Sequence, residues 1–273
     1  MQVQVKYFAI MVVLIGIVVG TSVSNVQADG TGNPRIRFMH ALAGLPNVDV
    51  YVDGAKQITN LAYSRYSGYL TLTPGSHRIQ FFRSGSTDVI GENDDNYATG
   101  QDYIMFIFGR EGERRGVKRF DNQTGLPETG QASVRFVNFA NAPATPAVNV
   151  CITGTDDCRI PNVGYEVASP YVLYDATSYN FDLRVTETGQ TVHQESNVSF
   201  SGRVVYTMVA LGIFESEPPL DVVVIVDTNT APGDVPTGAF LTPTMMAVLG
   251  SLLVLVVACG WAIWRLFLRW SPR

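Results

Sequence analysis

The chain repeats itself, and that limits its fold more than any other feature. Ile36-Arg37-Phe38-Met39-His40-Ala41 returns as Val134-Arg135-Phe136-Val137-Asn138-Phe139, and Val48-Asp49-Val50-Tyr51-Val52-Asp53-Gly54 returns as Val148-Asn149-Val150-Cys151-Ile152-Thr153-Gly154. Asn60-Leu61-Ala62-Tyr63 returns as Asn162-Val163-Gly164-Tyr165, and Tyr103-Ile104-Met105-Phe106-Ile107-Phe108-Gly109 as Tyr206-Thr207-Met208-Val209-Ala210-Leu211-Gly212. The spacing rises from 98 (Ile36 to Val134) to 103 (Tyr103 to Tyr206), as small loop insertions would produce. Solenoid units repeat every ~20–50 residues. A period this long makes each copy a domain of its own, the first over 35–121 and the second over 133–227, with a linker at 122–132.

Inside a copy the apolar runs are short, rich in Val, Ile, Phe, Tyr and Thr, and bounded by Gly, Pro, Asn and Asp. In Val48-Asp49-Val50-Tyr51-Val52-Asp53 the valines alternate with other residues, which buries one face of a strand and exposes the other. Asp53-Gly54 is a hairpin signal, and Thr73-Pro74-Gly75-Ser76 a second turn. No segment between Arg35 and Val226 has the pattern of a long amphipathic helix. The expected fold is all-β: two tandem β-sandwiches of about seven strands each, Ig-like or prealbumin-like, followed by one C-terminal transmembrane helix.

Both ends point to the membrane. Lys6 precedes an apolar run from Tyr7 to Val19, and Val26-Gln27-Ala28 follows a polar stretch. That order reads as a signal peptide over 1–28 cleaved after Ala28, the alternative being an uncleaved anchor. The stretch 244–264 carries no charge and is long enough to cross a bilayer. Arg265, Arg269 and Arg273 follow it, placing the tail 265–273 in the cytoplasm and everything before the span outside. Residues 228–243 form a stalk rich in Pro, Thr and Gly. The expected location is therefore the cell membrane, single-pass, with an extracytoplasmic N-terminus.

Of three cysteines, Cys259 falls in the span, while Cys151 and Cys158 flank a turn-like hexapeptide. In an oxidising compartment that pair is expected to form a disulfide, the alternative being two free thiols. The chain has a net charge of −5 and is only 16% charged, which gives no support for nucleic-acid binding.

Arg37-Phe38-Met39-His40-Ala41, Pro46 to Gly54, and the Tyr103 to Gly109 strand resemble the DUF4397 family of bacterial secreted and surface proteins. The second copy departs from the pattern at Asn138, Cys151 and Thr153. The resemblance implies a sandwich-like fold and an extracytoplasmic setting, and brings no catalytic residue.

Candidate sites are sparse. His40 ends a strand beside a loop, but the second copy lacks it, and a bond to a backbone carbonyl is the expected role. Glu92, Asp94 and Asp95 offer oxygens that suit calcium, with a solvated hairpin tip as the plainer reading. The loop around Arg110 to Arg119 mixes cations with glutamates. Leu126 to Gly130 spells a sortase pentapeptide but lies far from the apolar tail, and Val235 to Gly238 is better placed but a residue short of the pattern. Asn122 and Asn197 head glycosylation sequons. No catalytic, cofactor or metal site is expected. The leading expectation is a non-catalytic surface protein whose sandwich loops, with Tyr63, Arg65, Tyr66, Arg114 and Arg115 foremost, bind a glycan, cell-wall or protein ligand. The alternative is a structural spacer with no specific ligand.

Overall fold

The computed structural model describes residues 32–123, 125–140, 146–214 and 216–227. The Ala28 cleavage point, the stalk, the span and the tail lie outside them. The described residues are all-β. The first copy holds β1 (Arg35–Ala43), β2 (Asn47–Val52), β3 (Ala55–Ala62), β4 (Leu70–Thr71), β5 (Gly75–Arg83), β6 (Val89–Tyr97), β7 (Asp102–Arg110) and β8 (Arg115–Asp121). The second holds β9 (Gln131–Asn138), β10 (Val148–Ile152), β11 (Ile160–Val163), β12 (Val167–Ala168), β13 (Val172–Asp175), β14 (Ser178–Val185), β15 (Thr191–Ser199), β16 (Val204–Leu211) and β17 (Asp221–Val226). The strands beyond seven per copy are short edge pieces, β4 against β1 and the β12/β13 pair against β9.

Each copy is a β-sandwich. In the first, sheet β4-β1-β7-β8 faces sheet β3-β2-β5-β6; in the second, β12-β9-β16-β17 faces β11-β10-β14-β15. Period-two alternation turns Val48, Val50 and Val52 into the first core, where they meet Phe38, Phe81 and Met105. The second core uses the same positions: Val148, Val150, Phe136, Leu183 and Met208. The Asp53-Gly54 turn has positive φ at both residues (50° and 78°), the mark of a type I′ hairpin.

Strands β1 and β7 do not alternate. They run parallel, from Arg35 opposite Asp102 to Ala43 opposite Arg110, and nearly every residue of both is buried. The strand pair β9 and β16 is parallel in the same way. Strands buried on both faces need a cover on each side, and here the second cover is the other copy. Met39, Ala41, Ile104, Phe106 and Phe108 form one cluster with Val137, Phe139, Val209, Leu211 and Ile225. The Phe139 ring stacks on Phe108 at 4.6 Å and meets Phe106 at 4.9 Å.

A polar network lies beside this apolar seam, and its halves correspond. Arg37 donates to the Val226 carbonyl and Arg135 to the Asp121 carbonyl, both at 2.8 Å. The Arg37 guanidinium stacks on Tyr69, and that of Arg135 on Tyr171. Arg135 also donates to Asn122 Oδ1 and to Thr207 Oγ1, and Thr207 in turn donates to the Asp227 carboxylate. Asp227 is buried 4.0 Å from Arg37, and Asn122 donates to it and to Tyr69.

Two predictions follow from this packing. Gly109 (φ 110°) and its counterpart Gly212 (φ 91°) end β7 and β16 where a Cβ would lie 2.1 Å and 2.0 Å from the returning backbone. Gly109→Ala is expected to cost at least ~2 kcal/mol, whereas Gly54→Ala, with open space around it, costs roughly 1 kcal/mol. Urea midpoints of the two variants check the difference. Arg135→Met keeps the apolar stem but strips the buried acceptors of their donor, and a loss of about 3 kcal/mol in the same measurement is expected.

Candidate functional site

Of the residues expected to bind ligand, the two tyrosines are half-buried at the seam and the three arginines are exposed. Tyr63 and Tyr66 pack against the inter-copy cluster, Tyr63 edge-on to His40 at 5.8 Å and Tyr66 beneath Arg37. Arg114 forms an ion pair with Glu166 of the second copy at 2.6 Å and lies over Tyr165, while Lys118 donates to the Glu166 carbonyl. Tyr63 and Tyr66 are half-buried at the seam, whereas Arg114 reaches across its rim with most of its side chain exposed. Arg65 and Arg115 remain exposed. Arg110 and Arg119 are paired with Glu113 and Asp95, so the charged loop offers little unpaired charge.

The histidines fill structural roles of different kinds. His40 is fully buried; its Nδ1 accepts the Leu42 N–H at 3.3 Å, so Nε2 carries the proton and donates to the Leu45 carbonyl at 3.1 Å. Asn138 makes the first of these bonds in the second copy, Oδ1 accepting from Ala140, but its Nδ2 donates to a different carbonyl, that of Val163 in β11. An amide thus takes over the imidazole's bond to the N–H two residues on, while its donor turns to another strand. Burial lowers the His40 pKa to about 4, against the opposing pull of the Leu45 bond. His77 behaves in the opposite way: burial lowers its pKa, but bonds to Asp53 (2.6 Å) and the Thr73 carbonyl (2.8 Å) outweigh it and raise the net value. The Thr73 hydroxyl is more distant, at 3.3 Å. The nitrogen that would have to act as a base towards that hydroxyl is therefore a donor to a carbonyl.

Glu92, Asp94 and Asp95 do not form a hairpin tip. They lie on β6, where Glu92 pairs with Arg78 at 2.5 Å, Asp94 lies 3.9 Å from Arg78, and Asp95 pairs with Arg119 at 2.9 Å. Arginines of β5 and β8 take the place that a cation would hold. His193, Glu195 and Asp221 bring one ligand atom each within 4.8 Å of one another where β15 and β17 approach. Asn122 of the first sequon is buried in the seam, whereas Asn197 of the second is exposed.

The surface that stands open is the outward face of sheet β3-β2-β5-β6. Residues off the core phase point there: Asp49 and Tyr51 from β2, Lys56 from β3, Arg78, Gln80 and Phe82 from β5, and Glu92 from β6. Tyr51 and Phe82 are diagonal neighbours, with ring centroids 4.5 Å apart and planes inclined at 52°. Both are partly exposed. Lys56 Nζ lies 5.3 Å from the Tyr51 ring and bonds Asp49 at 2.7 Å. Burial works against the Asp49 charge, but the Asn60 N–H, Lys56 and the Ser84 hydroxyl together bring its pKa down to about 2. The anchor beneath the face is thus ionised across the ordinary pH range.

The second copy closes the same face. Cys151 stands where Tyr51 does, Asp182 for Gln80, Arg184 for Phe82 and Gln194 for Glu92. Cys151 and Cys158 form the disulfide expected from the sequence, and Cys151 is fully buried. The loop between them folds back over the strands. The Thr155 carbonyl accepts from Arg184, and the Thr153 hydroxyl donates to Asp182, which also takes bonds from Arg184 and Gln194. Among the described residues, none on this face is aromatic. Sequence alternation already assigned Tyr51 to the solvent side of β2; Phe82 was missed because its neighbour Phe81 is the core residue.

The profile of a family described as a domain of unknown function (DUF4397) matches residues 34–151 and 141–235. No curated protein matches the chain. Among solved structures, the C-terminal domain of AlgF from P. aeruginosa is 15% identical over 36% of this chain and 98% of its own, with a TM-score of 0.28. CBMbc of family CBM26 from Eubacterium rectale Amy13K, solved in complex with maltoheptaose, is 12% identical over 74% of this chain and 98% of its own, with a TM-score of 0.22. Similarities at this level bear on neither fold nor function.

The His40/Asn138 equivalence yields a prediction. A folded-state pKa of about 4 against 6.5 means that His40 contributes its stability above pH 6.5 and loses it as the pH falls towards 4. The loss is on the order of 2–3 kcal/mol. His40→Asn, which copies the second domain, is expected to fold and to flatten that part of the profile of Tm against pH. Equal slopes in variant and parent would contradict the assignment.

Proposed function

The chain belongs to the DUF4397 family, and from that premise we propose that it is a non-catalytic, membrane-anchored surface protein that binds its ligand on the outer sheet of its first copy. One contrast carries the reading: the Tyr51/Phe82 face is open in the first copy, and its counterpart is capped by the Cys151–Cys158 loop in the second. Partly exposed aromatic rings on a rigid sheet make an economical contact surface, since they present large area with few rotatable bonds. The seam fixes the second copy against the first, which gives the second copy the role of a support.

The setting follows from several independent features. The uncharged stretch 244–264 and the arginines after it support a single span with the tail inside. A disulfide supports an oxidising compartment outside the cytoplasm. Against catalysis stand the roles of His40 and His77, both committed to backbone carbonyls. Of the two sandwich types, strand order favours the prealbumin-like one. In an immunoglobulin constant-type sandwich the first strand shares a sheet with the second, whereas here β1 lies between β4 and β7, in the sheet opposite β2.

Binding of the full chain, purified in mild detergent, to immobilised cell-envelope fragments tests the proposal. The double variant Tyr51→Ala/Phe82→Ala is expected to bind at least about tenfold more weakly with an unchanged Tm, and Arg184→Ala on the capped face to bind like the parent. Equal binding by the double variant, or no saturable binding by the parent, would refute it; the latter result would favour the spacer.

A further inference from the structure

The chemistry of the open face narrows what it can hold. Every cation on it already has a carboxylate partner. Lys56 lies 2.7 Å from Asp49, and Arg78 lies 2.5 Å from Glu92 with Asp94 at 3.9 Å. The carboxylates are at least as many as the cations, so the face has no net positive field with which to draw an anionic chain. Nor does the aromatic pair lie at a backbone edge: the edges of this sheet are β3 and β6, whereas Tyr51 and Phe82 sit on the central strands β2 and β5, each hydrogen-bonded on both sides. An extended peptide adding itself as a strand needs such an edge.

The face does have two partly exposed rings and, beside them, donors and acceptors set close together. Gln80 Nε2 and Arg78 Nη2 both converge on one oxygen of Glu92. Among the described residues, the other Glu92 oxygen and the Gln80 amide oxygen have no protein partner. Adjacent hydroxyls on a sugar ring need a donor and an acceptor side by side, while the C–H face of the ring needs an apolar, polarisable surface beneath it. The rings of Tyr51 and Phe82 supply the second, and Arg78, Gln80 and Glu92 supply the first.

Resting on the binding role proposed above for this face, the geometry points to an uncharged glycan as its ligand, one or two sugar rings stacking on Tyr51 and Phe82 while Arg78, Gln80 and Glu92 bond their hydroxyls. The second copy takes no part, since Arg184 replaces Phe82 and is bonded to Asp182 and to the Thr155 carbonyl.

The experiment is native gel electrophoresis of the full chain in mild detergent, through gels containing dextran, glucomannan or xyloglucan, or the polyuronate polygalacturonate, at equal mass. Retardation is expected in at least one uncharged polysaccharide and not in the polyuronate. Tyr51→Ala and Phe82→Ala should each raise the half-retarding concentration about tenfold, Gln80→Ala less, and Arg184→Ala not at all. If an alanine variant fails to fold, Tyr51→Leu and Phe82→Leu keep the bulk and remove the ring face, and the same loss is expected of them. Retardation by polyuronate alone, or retardation by uncharged polysaccharide that survives removal of both rings, overturns the assignment. If envelope fragments bind through Tyr51 and Phe82 while every uncharged gel leaves the chain free, the glycan assignment falls and the binding role of the face stands. If neither binds, both fall.

Discussion

The parallel pairing of β1 with β7, repeated in β9 with β16, is the constraint from which the rest of this architecture follows. A parallel pair at the centre of a sheet has apolar residues on both faces, and a single sandwich can cover only one of them. The uncovered faces of the two copies are therefore a liability apart and a core together. Phe106, Phe108 and Phe139 fill the space between them, and the two arginines beside them meet backbone carbonyls of the opposite copy. Burying two guanidinium groups is costly unless each finds acceptors. The ends of β8 and β17 supply those acceptors as carbonyls; Asn122 and Thr207 accept two further bonds from Arg135, while Asp227 lies 4.0 Å from Arg37, whose Nε has no partner among the described residues.

The copies have diverged so that they fit each other. At the position where the second copy has Phe139 the first has Ala41, and where the first has Phe106 and Phe108 the second has Val209 and Leu211. The large rings of the first copy's β7 thus meet a large ring from the second. Asn122 and Asp227 are likewise equivalent positions, one neutral and one acidic, joined by a hydrogen bond. Two acids there would repel each other inside the seam; one acid and one amide do not. A homodimer of either copy would forgo this complementarity, so the linker joins domains that already prefer each other.

Much of this was legible in the sequence. Valine alternation in β2, the Asp53-Gly54 turn and the spacing of Cys151 from Cys158 are local signals, and local geometry decides them. The seam was not read, although the run Tyr103-Ile104-Met105-Phe106-Ile107-Phe108 has no polar phase and so has no face for solvent. Tyr63 and Tyr66 look like loop residues with a ligand in view, because nothing near them in the chain reveals the second copy they pack against. Glu92, Asp94 and Asp95 resemble a turn by composition. Their partners Arg78 and Arg119 are brought alongside only by strand pairing, and those pairs hold β6 in a sheet.

The seam also changes what a tandem repeat means here. Two like domains in one chain ordinarily suggest two binding sites and the gain that comes from linking them. In this chain the copies are locked through one sheet each, and the remaining sheet of the second copy is covered by its own disulfide loop. Duplication therefore supplied a cover for the parallel strands. Each copy keeps its own core, and the seam adds a third apolar cluster that joins them. On the binding role proposed above, avidity would come from several chains side by side, each presenting Tyr51 and Phe82 once.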